Sequence, residues 1–462
     1  MRTIKLEQSA KESYTAHPGL ALVGRCIRLC RDMRAQIGRL EQGRRRASSI
    51  SNMDILTCFL GLLCLGKSDY EGVAARREDV WFREALGLDR VPSPECLRQR
   101  LDEMAKNEEL VAALSRGSLE LLRRLEAPIT GYGQDLGGMV ALDIDVTPQD
   151  NSHTKKEGVE YAYKKFFGYA PIVAYLGVEG WCVDLELRPG SQHAQHGFVG
   201  FLRGVLAKAR VLTQAPLLVR LDAAHDAAET LHALEQAQGV HYVIRWNPRS
   251  SLPGPWLDRA RAFGEEELGQ RAGVRSWLGE IEEERPVEAG SEEKVRSRLV
   301  VRVIEERIDE SGRGLLFPRL HLEGWLTDLS LPAPEVIRLY RDHGISEQYH
   351  SELKGELDLE RLPSGSFATN ALVLRLGGFA YNLLRALGVR SLLCGGGSSR
   401  RAVRRRRIRT VMRDLVWGAA RLIQHGHGLV LRFGRCCPVY GYPLTGWRPR
   451  HRHLGHIVWR YP

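Results

Sequence analysis

The sequence predicts a mixed α/β fold with a helical N-terminal domain and a β-rich insertion. Three observations support this prediction. Residues 1–135 have helical patterns, residues 139–246 combine strand and helix patterns, and residues 247–331 contain extended segments that suit an antiparallel sheet. At 462 residues, the chain has room for about two or three domains.

Charge and composition limit the classes of function. The chain has 67 Lys and Arg residues against 56 Asp and Glu residues, which gives a formal net charge of +11. This balance favours a polyanionic partner, and nucleic acid is the commonest of these. Because 43% of the residues are hydrophobic, the chain can bury a core, and extensive disorder is excluded.

Cysteine usage and hydropathy indicate the compartment. The nine cysteines form no CxxC pair, which argues against a zinc ribbon and a disulfide scaffold. The polar N-terminus lacks the apolar core of a signal peptide, and the apolar run at residues 55–65 is about half a membrane span. We therefore expect a soluble, cytoplasmic protein with reduced core thiols.

The N-terminal domain, residues 1–135, is predicted to be helical. Arginines spaced about three apart between Arg25 and Arg39 form a stripe on one helix face, and residues 51–65 form an apolar helix. Pro94 after Ser93 is typical of a helix start, here for residues 95–104. Two short helices around a tight turn suit either DNA reading or a plain helical scaffold.

A glycine-rich break at residues 131–138 precedes the α/β region. Three successive strands are followed by a helix, a strand, a helix and a strand, which is a mixed order with an antiparallel start. The strand patterns lie at residues 139–146, 169–177, 182–188, 217–221 and 241–246, and the helix patterns lie at residues 197–212 and 227–238.

The remaining chain completes the predicted domain organisation. Residues 332–354 return to helix, with Gly344 and Ser346 as a break near the middle, and residues 371–387 form an apolar helix. A glycine-rich linker then leads into an arginine block. The predicted boundaries are 1–135 for the helical domain, 136–246 with 332–390 for the catalytic core, 247–331 for the insertion, and 391–462 for a basic C-terminal region.

Carboxylates end two predicted strands and lie on the later helix. Asp145 and Asp222 are each followed by a loop, and Glu347 shares a helix face with Tyr340 and Lys354 if that helix is continuous. Three such carboxylates can hold two divalent cations about 3.5–4 Å apart and activate a water or a DNA 3′-hydroxyl.

Each of these carboxylates also has a structural interpretation. Asp143 and Asp145 share a strand face, so one of them can instead pair with a basic side chain. Asp222 or Asp226 can be the N-cap of the helix that follows. Glu347 can belong to a solvated polar stripe.

Four motifs carry a resemblance to a known family. They are LDIDVT around Asp145, LVRLD ending at Asp222, Y-x2-H-x3-E-x6-K from Tyr340 to Lys354, and LDLERLPSGSFATNALVLRLGGFAYNLLRAL after it. Over residues 50–435 the chain resembles DDE-type transposases of bacterial insertion sequences, in the branch with a Tyr-Arg-Glu-Lys signature. The resemblance implies an RNase H-like core, a β insertion between the second Asp and the Glu, and Mg²⁺- or Mn²⁺-dependent transposition.

The resemblance also implies roles for individual residues. Asp145, Asp222 and Glu347 would be the catalytic residues and metal ligands, and Asp145 is preferred to Asp143 because the family pattern is Asp-x-Thr. Tyr340 and Lys354 would contact DNA phosphate. His343 stands where the signature has arginine, and imidazole lacks the bidentate fork of guanidinium. That phosphate contact would be weaker, or would come from Arg338 or Arg341.

Further candidates for DNA contact lie outside the signature. Lys155, Lys156, Lys164 and Lys165 are interleaved with Tyr161, Tyr163, Phe166 and Phe167, which suits either stacking on unpaired bases or a basic surface hairpin. The arginine block is expected to bind phosphate through Arg404, Arg405, Arg406 and Arg407. Core packing is expected for Trp246, with stacking on a displaced base as the alternative. Solvated or core positions are expected for His153, His193, His196 and His225, with zinc binding as the alternative.

The predicted function is cut-and-paste transposition. The protein would bind the terminal inverted repeats of its own element, cleave double-stranded DNA, and join the freed ends to target DNA as at least a dimer, in the bacterial cytoplasm at the nucleoid. Two alternatives stay open: an RNase H-like nuclease without strand transfer, and a DNA-binding protein without catalysis.

Overall fold

The computed structural model describes residues 7, 9, 11–42, 50–249, 251–267, 270–287, 290–393, 405–426 and 428–434. The helices are α1 (Leu20–Leu29), α2 (Arg31–Glu41), α3 (Asn52–Cys64), α4 (Val80–Leu86), α5 (Pro94–Met104), α6 (Glu108–Arg124), α7 (Phe198–Leu212), α8 (Ala228–Glu235), α9 (Pro253–Phe263), α10 (Ala333–Arg341), α11 (Ile345–Ser351), α12 (Phe367–Leu393) and α13 (Ile408–Val411). The strands are β1 (Ser13–Thr15), β2 (Val140–Val146), β3 (Gln149–Asp150), β4 (Glu160–Tyr161), β5 (Phe167–Tyr169), β6 (Ile172–Leu176), β7 (Trp181–Glu186), β8 (Leu217–Leu221), β9 (Val240–Arg245), β10 (Glu265–Glu266), β11 (Val274–Pro286), β12 (Lys294–Ile308), β13 (Gly314–Thr327), β14 (Ala420–His425) and β15 (Gly428–Phe433).

The chain forms two compact units, one from residues 1–127 and 352–462 and the other from residues 128–351. In the first unit, the long helix α12 packs against α3, α5 and α6. By length and composition α12 would also fit a membrane span, but 94% of its apolar window is buried inside the protein. Burial on all sides therefore accounts for its apolar composition.

Local sequence sets the helix starts of the first unit as predicted. The Ser93 side chain accepts a hydrogen bond from the backbone N–H of Cys96, and Pro94 occupies the first turn of α5. Ser51 caps α3 in the same way, and that helix is buried along most of its length. The described cysteines are free thiols, and all but Cys96 among them are buried, as expected for reduced core residues.

The second unit is built on one sheet in the order β10-β11-β12-β13-β9-β8-β2-β6-β7. Strands β2, β6 and β7 are antiparallel neighbours, whereas β8 and β9 run parallel to β2. Three antiparallel strands followed by two parallel ones, with α7 and α8 as the connections, form the RNase H-like core that the sequence predicted. The mixed α/β class is confirmed.

The inserted strands extend this same sheet. Strand β11 pairs with β12 over its whole length, β12 pairs with β13, and β13 joins the core where Trp325 pairs with Arg245. The β-rich insertion is thus present in sequence, but it is continuous with the core sheet and also contains α9. A second difference from the predicted boundaries is that residues 352–390 group with the N-terminal helices.

The predicted helix over residues 332–354 is interrupted. Helix α10 ends at Arg341, residues Asp342–Gly344 form a 3-10 turn, and α11 ends at Ser351 before a π-helical turn at Glu352–Glu356. The break falls at Gly344, as the sequence indicated. The shared face of Tyr340, Glu347 and Lys354, which required a continuous helix, is therefore not formed in that way.

Candidate active site

Two carboxylates lie side by side at the ends of adjacent parallel strands. Asp143 of β2 pairs in register with Arg220 of β8, and continuing this register by two residues sets Asp145 level with Asp222. Neighbouring strands are about 4.8 Å apart, so the two side chains can share one ligand. Their exposed fractions are 21% and 41%, so both carboxylates reach solvent at the end of the sheet, Asp145 less than Asp222.

A buried histidine contacts each of these carboxylates. The His350 Nε2 atom lies 3.5 Å from Asp145 Oδ2, and the Asp145 Oδ1 atom accepts a hydrogen bond from the Val146 N–H at 2.7 Å. The His225 Nδ1 atom lies 2.7 Å from Asp222 Oδ1. Burial alone would raise the pKa of Asp145, but the 3.5 Å contact with His350, the charges of His350 and His343 and the hydrogen bond from the Val146 N–H outweigh it and lower that pKa.

Glu347 lies on α11, which packs against β2. Its side chain is exposed, and among the described residues it has no hydrogen-bond or ion-pair partner. His350 is three positions further along the same helix, so it lies on the same face one turn away. The helix thus carries both Glu347 and the imidazole that contacts Asp145.

Asp143 is part of a buried polar network instead. Its carboxylate accepts hydrogen bonds from Arg220 Nε at 2.7 Å and Nη2 at 2.8 Å, a bidentate pair. The His343 Nδ1 atom lies 2.8 Å from Asp143 Oδ1, and Arg220 Nη1 donates to the hydroxyl of Tyr132 and the carbonyl of Leu339. Of the two carboxylates on this strand face, Asp143 is therefore the one that pairs with a basic side chain, Arg220.

This network corrects the expectation for His343. The side chain was expected in place of the signature arginine at a DNA phosphate, but it is only 6% exposed and bonded to Asp143 inside the protein. Burial raises the cost of its charged form, while the hydrogen bond and charge of Asp143 outweigh that cost and raise the pKa of His343. The imidazole thus holds the 3-10 turn on β2.

The other signature residues have different surroundings. The Tyr340 ring packs edge-on against Trp325 with 6.4 Å between centroids, and its pKa is raised by burial and then by the charges of Asp222 and Asp145. Lys354 belongs to the first unit, where its Nζ atom lies 3.6 Å from a Glu360 carboxylate oxygen. DNA contact by Tyr340 and Lys354 stays a prediction.

The arginine block is only partly exposed. Arg405 forms a 2.8 Å ion pair with the buried Glu352, which also pairs with Arg385 of α12, and Arg406 lies 3.5 Å from Asp414. Arg407 is 53% exposed and its Nε atom lies 3.9 Å from a carboxylate oxygen of the same Glu352, and Arg404 lies outside the described residues. Arg405 and Arg406 are therefore not part of a free phosphate-binding arm, because they neutralise carboxylates of their own unit.

The lysines of the small sheet are exposed as predicted. Lys164 and Lys165 lie in the turn between β4 and β5, and the Lys164 ammonium is 5.5 Å from the centroid of the Tyr163 ring. Trp246 is buried and packs edge-on against Trp256, as expected for a core residue. DNA binding by the lysines stays a prediction.

The carboxylate pair fits a hard divalent cation by donor type. Asp145 and Asp222 offer oxygen ligands from adjacent strands, and Glu347 offers a third from the facing helix. Within the described residues, no three His, Cys, Asp or Glu side chains are already gathered as ligands, which also gives no support to a zinc site at the histidines. The contact of His350 with the site was not predicted from the sequence. The available signal was the Glu-x2-His spacing from Glu347 to His350 and the Asp-x2-His spacing from Asp222 to His225.

The core order of five strands, with a carboxylate at the end of each of its two central parallel neighbours, is typical of RNase H-like enzymes that act on nucleic acids. The chain belongs to the family described as Transposase DDE domain group 1, which matches residues 13–442. It is a DDE transposase, an enzyme class that uses divalent metal ions.

The comparison with solved structures gave a distant match. The chain is similar to the piggyBac transposase seen in a cryo-EM synaptic complex with hairpin DNA, with 10% identity and a TM-score of 0.39 over 88% of this chain and 83% of that chain. No curated protein matches this chain.

Proposed function

We propose that this transposase binds the terminal inverted repeats of its own element and catalyses both cleavage and strand transfer with Asp145, Asp222 and Glu347. The observation that supports this most directly is the level placement of Asp145 and Asp222 on adjacent strands, both open to solvent. Asp143, on the same face, is already neutralised by Arg220.

The chemistry requires two displacements at phosphorus. In the first, water attacks the phosphodiester at the element end, the P–O3′ bond breaks, and a 3′-hydroxyl and a 5′-phosphate result. In the second, that 3′-hydroxyl attacks a target phosphodiester, a new P–O bond forms, and the target 3′-oxygen leaves with a proton. Mg²⁺ or Mn²⁺ bound to the three carboxylates would supply Lewis acidity to both.

The side chains around the site keep the carboxylates in place for this chemistry. His350 and His225 restrict the orientation of Asp145 and Asp222, and the buried pair of Asp143 with Arg220 fixes β2 against β8. Because His350 and His225 are buried, Asp145 and Asp222 are preorganised before DNA arrives, whereas no described side chain holds Glu347.

The proposal extends to assembly and location. Two element ends must be held together for joining, so the active form on DNA is at least a dimer. The protein acts on chromosomal DNA in the bacterial cytoplasm.

A supercoiled plasmid that carries the inverted repeats tests this proposal. With Mg²⁺, the wild-type protein should give excised element and joined product. Glu347→Gln should abolish both products while DNA affinity stays within about twofold, because Gln keeps the shape but loses the anionic ligand. The matched control is Glu282→Gln, which alters an exposed glutamate of β11.

The outcomes separate the alternatives. Nicking without joining would favour a nuclease, and DNA binding without cleavage in Mg²⁺ or Mn²⁺ would favour a protein that has lost catalysis. Normal cleavage by Glu347→Gln would exclude Glu347 from the site.

A further inference from the structure

A small sheet continues directly from the strand end that bears Asp145. Strand β2 pairs with β6 up to Val146, the Thr147 N–H then donates to the Pro171 carbonyl at 2.8 Å, and pairing resumes at Gln149 of β3 with Tyr169 of β5. Strand β4 completes this sheet on the other side of β5. The small sheet is therefore attached directly to the strand end that carries Asp145.

The turn between β4 and β5, residues 161–167, presents aromatic rings and lysines. We call these residues the aromatic turn; its sequence YAYKKFF contains no acidic residue. It is closed by hydrogen bonds from the Lys165 N–H to the Ala162 carbonyl and from the Ala162 N–H to the Phe166 carbonyl. Tyr161 and Phe167 are each more than half exposed, although they pack edge-on at 5.4 Å between centroids.

Tyr163 is the most exposed of these rings, at 64%. Among the described residues it stacks on no other ring, and its neighbour is the ammonium of Lys164. Partial desolvation first, and then the charges of Asp145 and Asp222, raise the pKa of Tyr163 to about 12. The ring of Tyr163 therefore remains open to solvent.

The exposed ring of Tyr163 is a surface on which a flat, apolar group can stack. A large aromatic side chain that contacts water gains from stacking on a flat, apolar face, and every DNA base offers one when it is unpaired. The two adjacent lysines suit the phosphates on either side of such a base, because the turn itself contains no acidic residue. Paired bases do not expose their faces, so duplex DNA would not fill this position.

We propose that Tyr163 stacks on an unpaired DNA base beside the scissile phosphate, and that Lys164 and Lys165 hold the adjoining phosphates. This rests on the proposed function, because it assumes that DNA strands separate at the cleavage position. It gives the aromatic turn a role in selecting unpaired over paired DNA near the site.

Binding of single strands by the full-length protein, measured without any divalent metal, tests the stacking directly. The probe is a single-stranded oligo-dT of about 12 nucleotides with one internal 2-aminopurine, whose fluorescence falls on stacking, and the comparison is its duplex. Tyr163→Ala should weaken single-strand affinity about 5- to 150-fold and abolish the quenching, with duplex affinity unchanged. Tyr163→Phe should behave as wild type because the ring is kept.

The control is Phe317→Ala, which removes an exposed ring from β13 and should change neither affinity. Unchanged single-strand binding by Tyr163→Ala, or equal weakening on single strands and duplex, would overturn the proposal. If Tyr163→Phe is as weak as Tyr163→Ala, the hydroxyl and not the ring is responsible, and stacking is wrong.

This assay needs no cleavage, so it stands apart from the plasmid experiment. Selective single-strand binding by a protein that joins no DNA would refute the proposed function and keep the stacking site. Joining of DNA by a protein that does not prefer single strands would support the proposed function and refute the stacking site.

Discussion

Asp143 and Asp145 lie two residues apart on one face of β2, and the structure predicts opposite results when each is changed to asparagine. Asp143→Asn should lower stability, because the Arg220 guanidinium then stays buried without a carboxylate. Asp145→Asn should leave stability nearly unchanged and abolish cleavage, because its carboxylate is at the open end of the sheet.

The size of the first effect follows from the burial of the pair. Breaking a buried ion pair by removing one partner costs about 3–5 kcal/mol. For a cooperative unit of about 150–250 residues, each kcal/mol lowers Tm by about 2–4 °C, so Asp143→Asn should lower the Tm of the second unit by about 6–20 °C. For Asp145→Asn the expected loss is about 1 kcal/mol or less, since only the contact with His350 is weakened.

Thermal unfolding followed by circular dichroism, together with plasmid cleavage below the lower Tm, measures both effects. Asp143→Asn should keep some cleavage at low temperature, whereas Asp145→Asn should have none at any temperature. A stable, inactive Asp143→Asn or a strongly destabilised, active Asp145→Asn would refute the assignment of the two carboxylates.

Three further predictions follow from the same contacts. His343→Gln should keep a hydrogen bond to Asp143 and much of the activity. His343→Arg restores the signature residue, but it should lower Tm because a longer cation enters a buried site. Higher activity of the arginine variant would contradict this expectation. The pKa of Asp143 is lowered in the fold, so its contribution to stability is present above pH about 3.9 and is lost as the pH falls. The pKa of His343 is raised, so its contribution is present below pH about 6.5 and is lost as the pH rises. The free energy of unfolding measured in urea should therefore decrease at both ends of the pH range. Arg405→Ala should lower Tm because the buried Glu352 loses its 2.8 Å ion pair. Arg407→Ala removes only a 3.9 Å contact of a half-exposed guanidinium with Glu352, so it should chiefly reduce the slope of log affinity against log salt, by about 0.9 if Arg407 contacts one phosphate.

The strands of the core could be predicted because their patterns are local. Alternation around Asp145 and the apolar run before Asp222 are visible within a few residues, and the order of strands and helices then restricts the topology. That topology places Asp145 and Asp222 at the ends of neighbouring strands, whereas the choice of Asp145 over Asp143 came from the Asp-x-Thr pattern of the family that the sequence resembles.

The partners of individual side chains could not be predicted, because they come from distant parts of the chain. The arginine block looks like a free basic arm in sequence, but the carboxylate of Glu352 lies more than fifty residues earlier and neutralises Arg405. In the same way, nothing near His343 indicates that Asp143 and Arg220 form a buried pair with room for an imidazole.

The domain boundary at residue 352 was missed for a different reason. Helix α12 is apolar on all sides, so its pattern has no face that points to one neighbour. Its packing against α3 and α6 is decided by tertiary structure alone. From the sequence pattern, α12 was therefore assigned to the preceding core.

The histidine at position 343 acquires a physical reason from these contacts. Guanidinium reaches Asp143 from β8 through Arg220, so a second guanidinium from the helix would place two buried cations on one carboxylate. Imidazole is shorter and, unlike guanidinium, can release its proton when the pH rises above its raised pKa, and its bond to Asp143 draws the start of α11 onto β2. His350 makes the second contact, at Asp145, seven residues later. Glu347 lies between these two contacts in the chain, and its carboxylate is on the exposed side of the helix. The departure from the signature is therefore compatible with Glu347 as the third carboxylate of the site.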